Sequence, residues 1–281
     1  MGNLIFNGFS IKDYGIVIQT FPSYEFPKNK YELIDLDGKN GSFILDKKSF
    51  NNIERTYYLA AAVNLGSTFV KNANKLISSF KSVQGYGRLE DTYEPEYYRL
   101  AMFMESGEVK NIYNEAYTLE TIFNCKPQRF LKTGEVSKEY LNPASGDTII
   151  INNPTLYASE PLIEFELNQS AIIGDNAILE IEHFQNGNTV STTDVLLNKS
   201  LSSGVIDSEL KDCIDYTNGI SYINNYVTLT NGFPLLYPGK NIIHISSPGF
   251  VKLVITPRWW TLWLDYLRRM LQNFQLLEYV V

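Results

Sequence analysis

The stretch Ala177-Ile178-Leu179-Glu180-Ile181-Glu182-His183-Phe184-Gln185-Asn186-Gly187-Asn188-Thr189-Val190-Ser191-Thr192 decides the fold class. Leu179 and Ile181 alternate with Glu180 and Glu182, and a period of two puts the apolar set on one face of an extended chain. Asn186-Gly187 suits the two-residue turn that joins antiparallel strands. The same unit recurs on both sides. Ile149-Ile150-Ile151 and Leu162-Ile163-Glu164-Phe165-Glu166-Leu167 precede it, and Val251-Lys252-Leu253-Val254-Ile255-Thr256 closes the series. Asn218-Gly219, Asn231-Gly232 and Pro238-Gly239 punctuate the remainder. Many short strands with such turns predict a β-sandwich from Gly146 onward.

Towards the N-terminus the pattern is also β, with one interruption. Gly15-Ile16-Val17-Ile18 is a compact apolar run. Asp37-Gly38 and Asn40-Gly41, followed by Ser42-Phe43-Ile44-Leu45-Asp46, fit a hairpin or a long loop between strands. Arg55 to Val63 can run as a strand. Phe69, Val70, Ala73, Leu76, Ile77 and Phe80 then recur at spacings of three and four, which predicts an amphipathic helix capped by Ser67 or Thr68. Tyr97 to Met104 and Tyr113 to Phe123, joined through Gly107, read as neighbours in an antiparallel meander. Pro127 and Pro143 flank a polar segment that marks a domain boundary. At the far end Trp263, Tyr266, Leu267, Met270, Leu271, Phe274 and Leu277 share one face of a second amphipathic helix.

The 281 residues suffice for one large or two ordinary domains, and for a core that needs no disulfide or metal. The net charge of −7, with Lys and Arg scattered, excludes the basic footprint that nucleic-acid binding demands. Nothing at the N-terminus resembles a signal peptide, and no apolar run has the length of a membrane span. The chain is therefore expected to be made in the cytoplasm and to stay soluble there, unless it leaves by another route. Catalytic patterns are absent. His183 and His244 stand outside any ligand-spaced motif and read as strand residues. Cys125 and Cys213 read as small buried hydrophobes. Glu164, Glu166, Glu180 and Glu182 alternate along strands as a solvated face would, which leaves a cell-wall hydrolase with little support. Asp207-Ser208-Glu209 suits a turn better than a calcium loop. Gly85-Tyr86-Gly87 is a turn. No cofactor and no metal are expected. Trp259-Trp260 must place one indole on each face of a strand. Packing in a core or an interface is the stronger reading, and stacking on a sugar the alternative.

Several motifs, in order, resemble the distal tail protein family of long-tailed, non-contractile phages of Gram-positive hosts. They are Phe6-Asn7-Gly8 with Asp13-Tyr14-Gly15-Ile16, Asp37-Gly38-Lys39-Asn40-Gly41, Arg88-Leu89 with Tyr93 to Ala101, and Phe123 to Leu131. Beyond them come Asn153-Pro154-Thr155 to Pro161-Leu162-Ile163, Ile206 to Glu209, Phe233-Pro234, Tyr237 to Asn241 and Pro257-Arg258-Trp259-Trp260. No single motif is specific; their order from Phe6 to about Leu262 carries the resemblance.

The resemblance implies a mainly β fold with three parts. Residues 1–133 would be a β-rich belt domain with one α-helix. Residues 134–250 would be a galectin-like β-sandwich. Residues 251–281 would be a strand returning to belt or sandwich, plus the amphipathic C-terminal helix that periodicity predicts, which is longer than the family's usual ending. It further implies a structural virion protein, not an enzyme, at the tail tip or baseplate. Six copies would form a ring that joins the tail tube protein to the tail-associated lysin or hub and carries receptor-binding proteins. DNA would pass through without sequence-specific contact, so a channel wall poor in Lys and Arg is expected. No membrane partner is implied. The galectin sugar-binding pattern is missing, so likeness of fold does not bring sugar binding with it. Trp259, Trp260, Trp263, Tyr266, Met270 and Phe274 are the candidate interface or partner contacts. The alternative function is a cell-wall carbohydrate-binding module.

Overall fold

The computed structural model describes residues 2–22, 25–62, 66–112, 116–185, 188–217 and 219–262. The chain forms two compact units that divide between Arg129 and Phe130, four residues before the expected boundary at 133/134. The predicted C-terminal helix, with Trp263, Tyr266, Met270 and Phe274, lies outside the described residues.

The first unit runs β1 (Leu4–Phe6), β2 (Phe9–Ser10), β3 (Val17–Ile18), β4 (Asn29–Asp35), β5 (Ser42–Phe50), β6 (Ile53–Ala62), α1 (Gly66–Ser82), β7 (Gly87–Asp91), β8 (Tyr97–Ser106), β9 (Lys110–Ile112) and β10 (Ala116–Cys125). Its main sheet is antiparallel in the order β2-β1-β7-β8-β10-β6-β3, with β9 on β10. The meander through β8 and β10 is as expected, with Phe123 opposite Phe103 and Cys125 opposite Ala101. The helix begins at Gly66, so Ser67 and Thr68 stand in its first turn and not at its cap. Phe69, Ala73, Leu76 and Phe80 are buried as the stripe requires, but Val70 is exposed. Val70 follows Phe69 by one residue, about 100° round the helix, at the edge of the stripe. Phe80 meets Phe6, Phe103 and Phe123 edge-on at 5.5, 5.5 and 5.7 Å. This aromatic knot joins the helix to three strands, and each such pair adds about 0.5–1.5 kcal/mol beyond area burial.

After β11 (Arg129–Leu131), which spans the division, the second unit runs β12 (Lys138–Leu141), β13 (Thr148–Asn153), β14 (Leu162–Leu167), β15 (Asn176–Gln185), β16 (Asn188–Asn198), β17 (Ser203–Asp207), β18 (Asp212–Asp215), β19 (Ser221–Tyr222), β20 (Val227–Leu229), β21 (Gly239–Ile245), β22 (Phe250–Thr256) and β23 (Trp260–Thr261). Two antiparallel sheets, ordered β12-β22-β14-β17-β18-β19 and β13-β21-β15-β16-β20, enclose one core. Ile149, Ile163, Phe165, Leu179, Ile181, Leu253 and Ile255 all point into it. Along β14 burial alternates, with Glu164 and Glu166 outside, so the solvated-face reading of these carboxylates holds. Strand β22, the strand expected to return to belt or sandwich, lies within the sandwich, between β12 and β14. Gly134 is required by close approach: a Cβ there would lie 2.3 Å from the backbone N of Trp259.

Candidate assembly surface

The first unit is organised around buried charge. Arg55, Arg99 and Arg129 are each at most 5% exposed. Asp91, at the end of β7, accepts hydrogen bonds from Arg55 Nη2 (2.8 Å) and Tyr57 Oη (2.7 Å) on one oxygen. Its other oxygen accepts from the backbone N–H groups of Tyr93 (2.8 Å) and Glu94 (3.0 Å), which shapes the turn into β8. That turn delivers Glu94 to the arginines. Its carboxylate lies 3.0 Å from Arg55 Nη2, 3.8 Å from Arg99 Nη2, and in contact with Arg129 Nη1. Three guanidinium groups thus meet at Glu94, and Arg55 also binds Asp91. Burial, then the charges of its neighbours, Arg55 foremost, bring Arg99 down to about 10. Burial likewise pushes the adjacent Cys125 thiol up to about 11 and Cys213 in the second unit to about 12. Both cysteines are free and buried, and neither is a poised nucleophile.

One part of this unit has no core of its own. Strands β4 and β5 form a separate two-stranded ribbon. Their pairing sets Leu33 opposite Ile44, Ile34 opposite Phe43, Glu32 opposite Leu45 and Tyr31 opposite Asp46. Since residues alternate between faces, Tyr31, Leu33 and Ile44 lie on one side and Ile34, Phe43 and Leu45 on the other. Both sides are therefore apolar, yet all six residues are exposed, from 38% at Ile34 to 63% at Ile44. The turn is built as the glycines predict, with positive φ at Gly38 and Gly41 and a bond from Lys39 N to Leu36 O of 3.1 Å. At the base, the register shifts between Asn29 and Tyr31, and Lys48 takes φ of +50°, so the ribbon bends where it leaves the unit. An isolated hairpin is at best marginally stable in water, and one with two exposed apolar faces is a surface waiting for a partner.

The tryptophans behave differently from an open contact. Trp259 is 6% exposed and belongs to the sandwich core. Trp260 is half-buried. Its indole N–H donates to Ala158 O at 3.0 Å, and its ring stacks on Tyr157 at 4.5 Å. The adjacent pair splits between two faces as the strand geometry predicts, but Trp259 offers no ring face for a sugar or partner. The ribbon was missed as a site because its signal, apolar residues on both faces, is also that of a fully buried strand.

Asp207 holds the turn after β17. Its Oδ1 accepts from the backbone N–H groups of Glu209 (3.0 Å) and Leu210 (3.1 Å), which is the turn role expected of Asp207-Ser208-Glu209. Arg258 binds both its oxygens, at 2.7 and 3.0 Å. Burial alone would raise this carboxyl. The hydrogen bonds from Arg258 and the two backbone donors, with the guanidinium charge, outweigh it and hold the carboxyl below its ordinary range. A depressed carboxylate contributes stability above its unfolded pKa of about 3.9, and the contribution is lost as pH falls through the folded value. Asp207→Asn is expected to cost the second unit about 1.5–3 kcal/mol at neutral pH and to flatten the acid limb of its pH–stability curve. Urea unfolding followed by tryptophan fluorescence at pH 7 and pH 3 checks both. An unchanged midpoint and pH dependence would refute the assignment.

Among the described residues, no group of three His, Cys, Asp or Glu is placed to hold a metal ion, and no helix is long and apolar enough to cross a membrane. His183 and His244 are strand residues, and His244 sits between Thr148 and Glu182 at 3.3 Å from each.

No protein-family model and no curated protein matches this sequence. Solved structures do. The crystal structure of the SPP1 Dit protein, described as a paradigm of the hub adsorption apparatus in phages infecting Gram-positive hosts, aligns with a TM-score of 0.65 at 12% identity, over 91% of this chain and 98% of that one. The phage p2 baseplate in its activated conformation aligns with a TM-score of 0.46 at 8% identity, over 91% and 98%. The first alignment spans nearly the whole of both chains, and the chain has the fold of that Dit protein.

Proposed function

We propose that this protein is a structural component of a phage tail tip, one that closes with further copies of itself into a six-membered ring. The ring would join the tail tube to the hub and carry the receptor-binding apparatus, in a particle assembled in the host cytoplasm. The observation that carries this reading is the near full-length likeness to SPP1 Dit, the protein of a hub adsorption apparatus. The apolar ribbon supports it independently, because head-to-tail contacts that close a ring need a surface that is exposed in the single copy and covered in the assembly. The reading is non-enzymatic: the carboxylates that a hydrolase would need lie along an outer strand face. Negative-stain images of the purified protein are expected to contain six-fold rings, and a structure of the ring a channel poor in Lys and Arg. A monomer at every concentration, even beside its tail partners, would sink the proposal, as would a basic channel for the DNA-conduit part of it. A zymogram with clearing that Glu164→Gln abolishes would revive the hydrolase.

A further inference from the structure

Strand β16 is paired by β15 along its whole length, but on its other side β20 covers only Val195, Leu196 and Leu197. Beyond that point the chain from Thr230 to Tyr237 crosses the open edge. Thr230 bonds to Asp194 through its N–H (3.2 Å) and Oγ1 (2.9 Å), and Asn231 Nδ2 donates to Thr192 O at 2.6 Å. Ser191 faces His183 and Thr189 faces Phe184, so Val190 is an extra residue on β16. Such a bulge bends the strand and re-aims its side chains. Between the bent edge and the crossing segment lies a cavity of about 380 Å³.

The lining is chemically distinctive. Ser191, Thr192 and Thr193 supply hydroxyls, Asn231 a carboxamide, and Phe233 and Tyr237 aromatic rings. No formally charged side chain lines it among the described residues. Behind Tyr237, with ring centroids 5.0 Å apart, His183 is 8% exposed, and its Nδ1 makes no hydrogen bond to a described residue. A charged ligand would find no counter-charge here. A purely apolar one would strand the hydroxyls and the imidazole without partners, which is costly. A peptide strand would need the Thr192 carbonyl, which Asn231 already occupies. A neutral ligand with an apolar ring face and a rim of hydroxyls satisfies both halves of the lining.

We propose that this cavity binds a neutral saccharide ring, packed against Phe233 or Tyr237 and hydrogen-bonded by Ser191, Thr193 and Asn231. The site lies wholly within the second unit and needs no ring assembly, so it stands or falls apart from the tail-tip reading. Saturation-transfer NMR on the full chain, with glucose, galactose, rhamnose and N-acetylglucosamine as probes, tests it. At least one probe is expected to give saturable binding below about 50 mM. Asn231→Ala and the isosteric Thr193→Val are each expected to weaken that binding about three- to tenfold, with the unfolding midpoint unchanged. Tyr216→Ala, in the exposed loop after β18, should leave it unaltered. No saturable signal with any probe, binding insensitive to both cavity variants, or binding instead of an extended Val-Thr peptide along β16 would each overturn the proposal.

Discussion

Glu94→Gln is expected to destabilise the first unit by about 3–5 kcal/mol, the scale of a buried ion pair that loses one partner. The reason is arithmetic as well as burial. The Glu94 side chain, at 9% exposure, touches Arg55, Arg99 and Arg129. Glutamine keeps the volume and one acceptor, so the variant isolates the charge. It would take away the carboxylate charge that touches all three buried guanidinium groups, and loss of a compensating charge is what the interior tolerates least. For a unit of this size the melting temperature should fall by roughly 10 °C or more, read by calorimetry. Glu96, two residues away on the same turn, is exposed. Glu96→Gln should therefore stay within about 0.5 kcal/mol of the parent. Equal melting of the two variants would show that the cluster contributes nothing specific.

The second large effect is on assembly and not on folding. Leu33→Glu with Ile44→Glu places two carboxylates opposite each other on one face of the β4–β5 ribbon. Neither side chain is covered in the single copy, so the unfolding midpoint of the monomer should scarcely move. Each apolar side chain that a neighbour would bury is worth about 1.5–3 kcal/mol. Losing two therefore removes roughly two to four orders of magnitude from the association constant of each contact. Sedimentation velocity at matched concentrations is expected to find the parent as a ring and the double variant as a monomer. If the variant still assembles like the parent, the ribbon is not the contact. If the parent never assembles, the ring itself is wrong. The two failures are distinguishable.

The ribbon and the ionic cluster also mark the limit of what could be read along the chain. Alternation in Leu162–Leu167 and Ala177–Glu182 sufficed to place β14 and β15 and to put Glu164 and Glu166 in solvent. The spacing of Phe69, Ala73, Leu76 and Phe80 sufficed for α1, because a helix that buries one face must repeat near 3.6. Asp37-Gly38 and Asn40-Gly41 located the turn between β4 and β5, since few residues other than glycine accept positive φ, while Asn186-Gly187 lies outside the described residues. These are local properties, and local sterics impose them.

Whether a face is covered is not local. Tyr31 to Ile34 and Phe43 to Leu45 are written like strands buried on both sides, and only the folded chain leaves them open. The adjacency of Trp259 and Trp260 required opposite faces, but which indole entered the core depended on the sheet packed above it. Arg55, Arg99 and Arg129 lie on three segments far apart in sequence, and the turn after Asp91 brings Glu94 among them. The cavity beside β16 exists because β20 stops at Leu229 and the chain crosses instead of pairing. The sequence by itself determined the strands, the helix, the turns and the two-part, mainly β plan, through periodicity and backbone preference. The tertiary structure alone decided which charges meet, which apolar faces lack a cover and where a cavity opens, because burial is a property of neighbours distant in the chain.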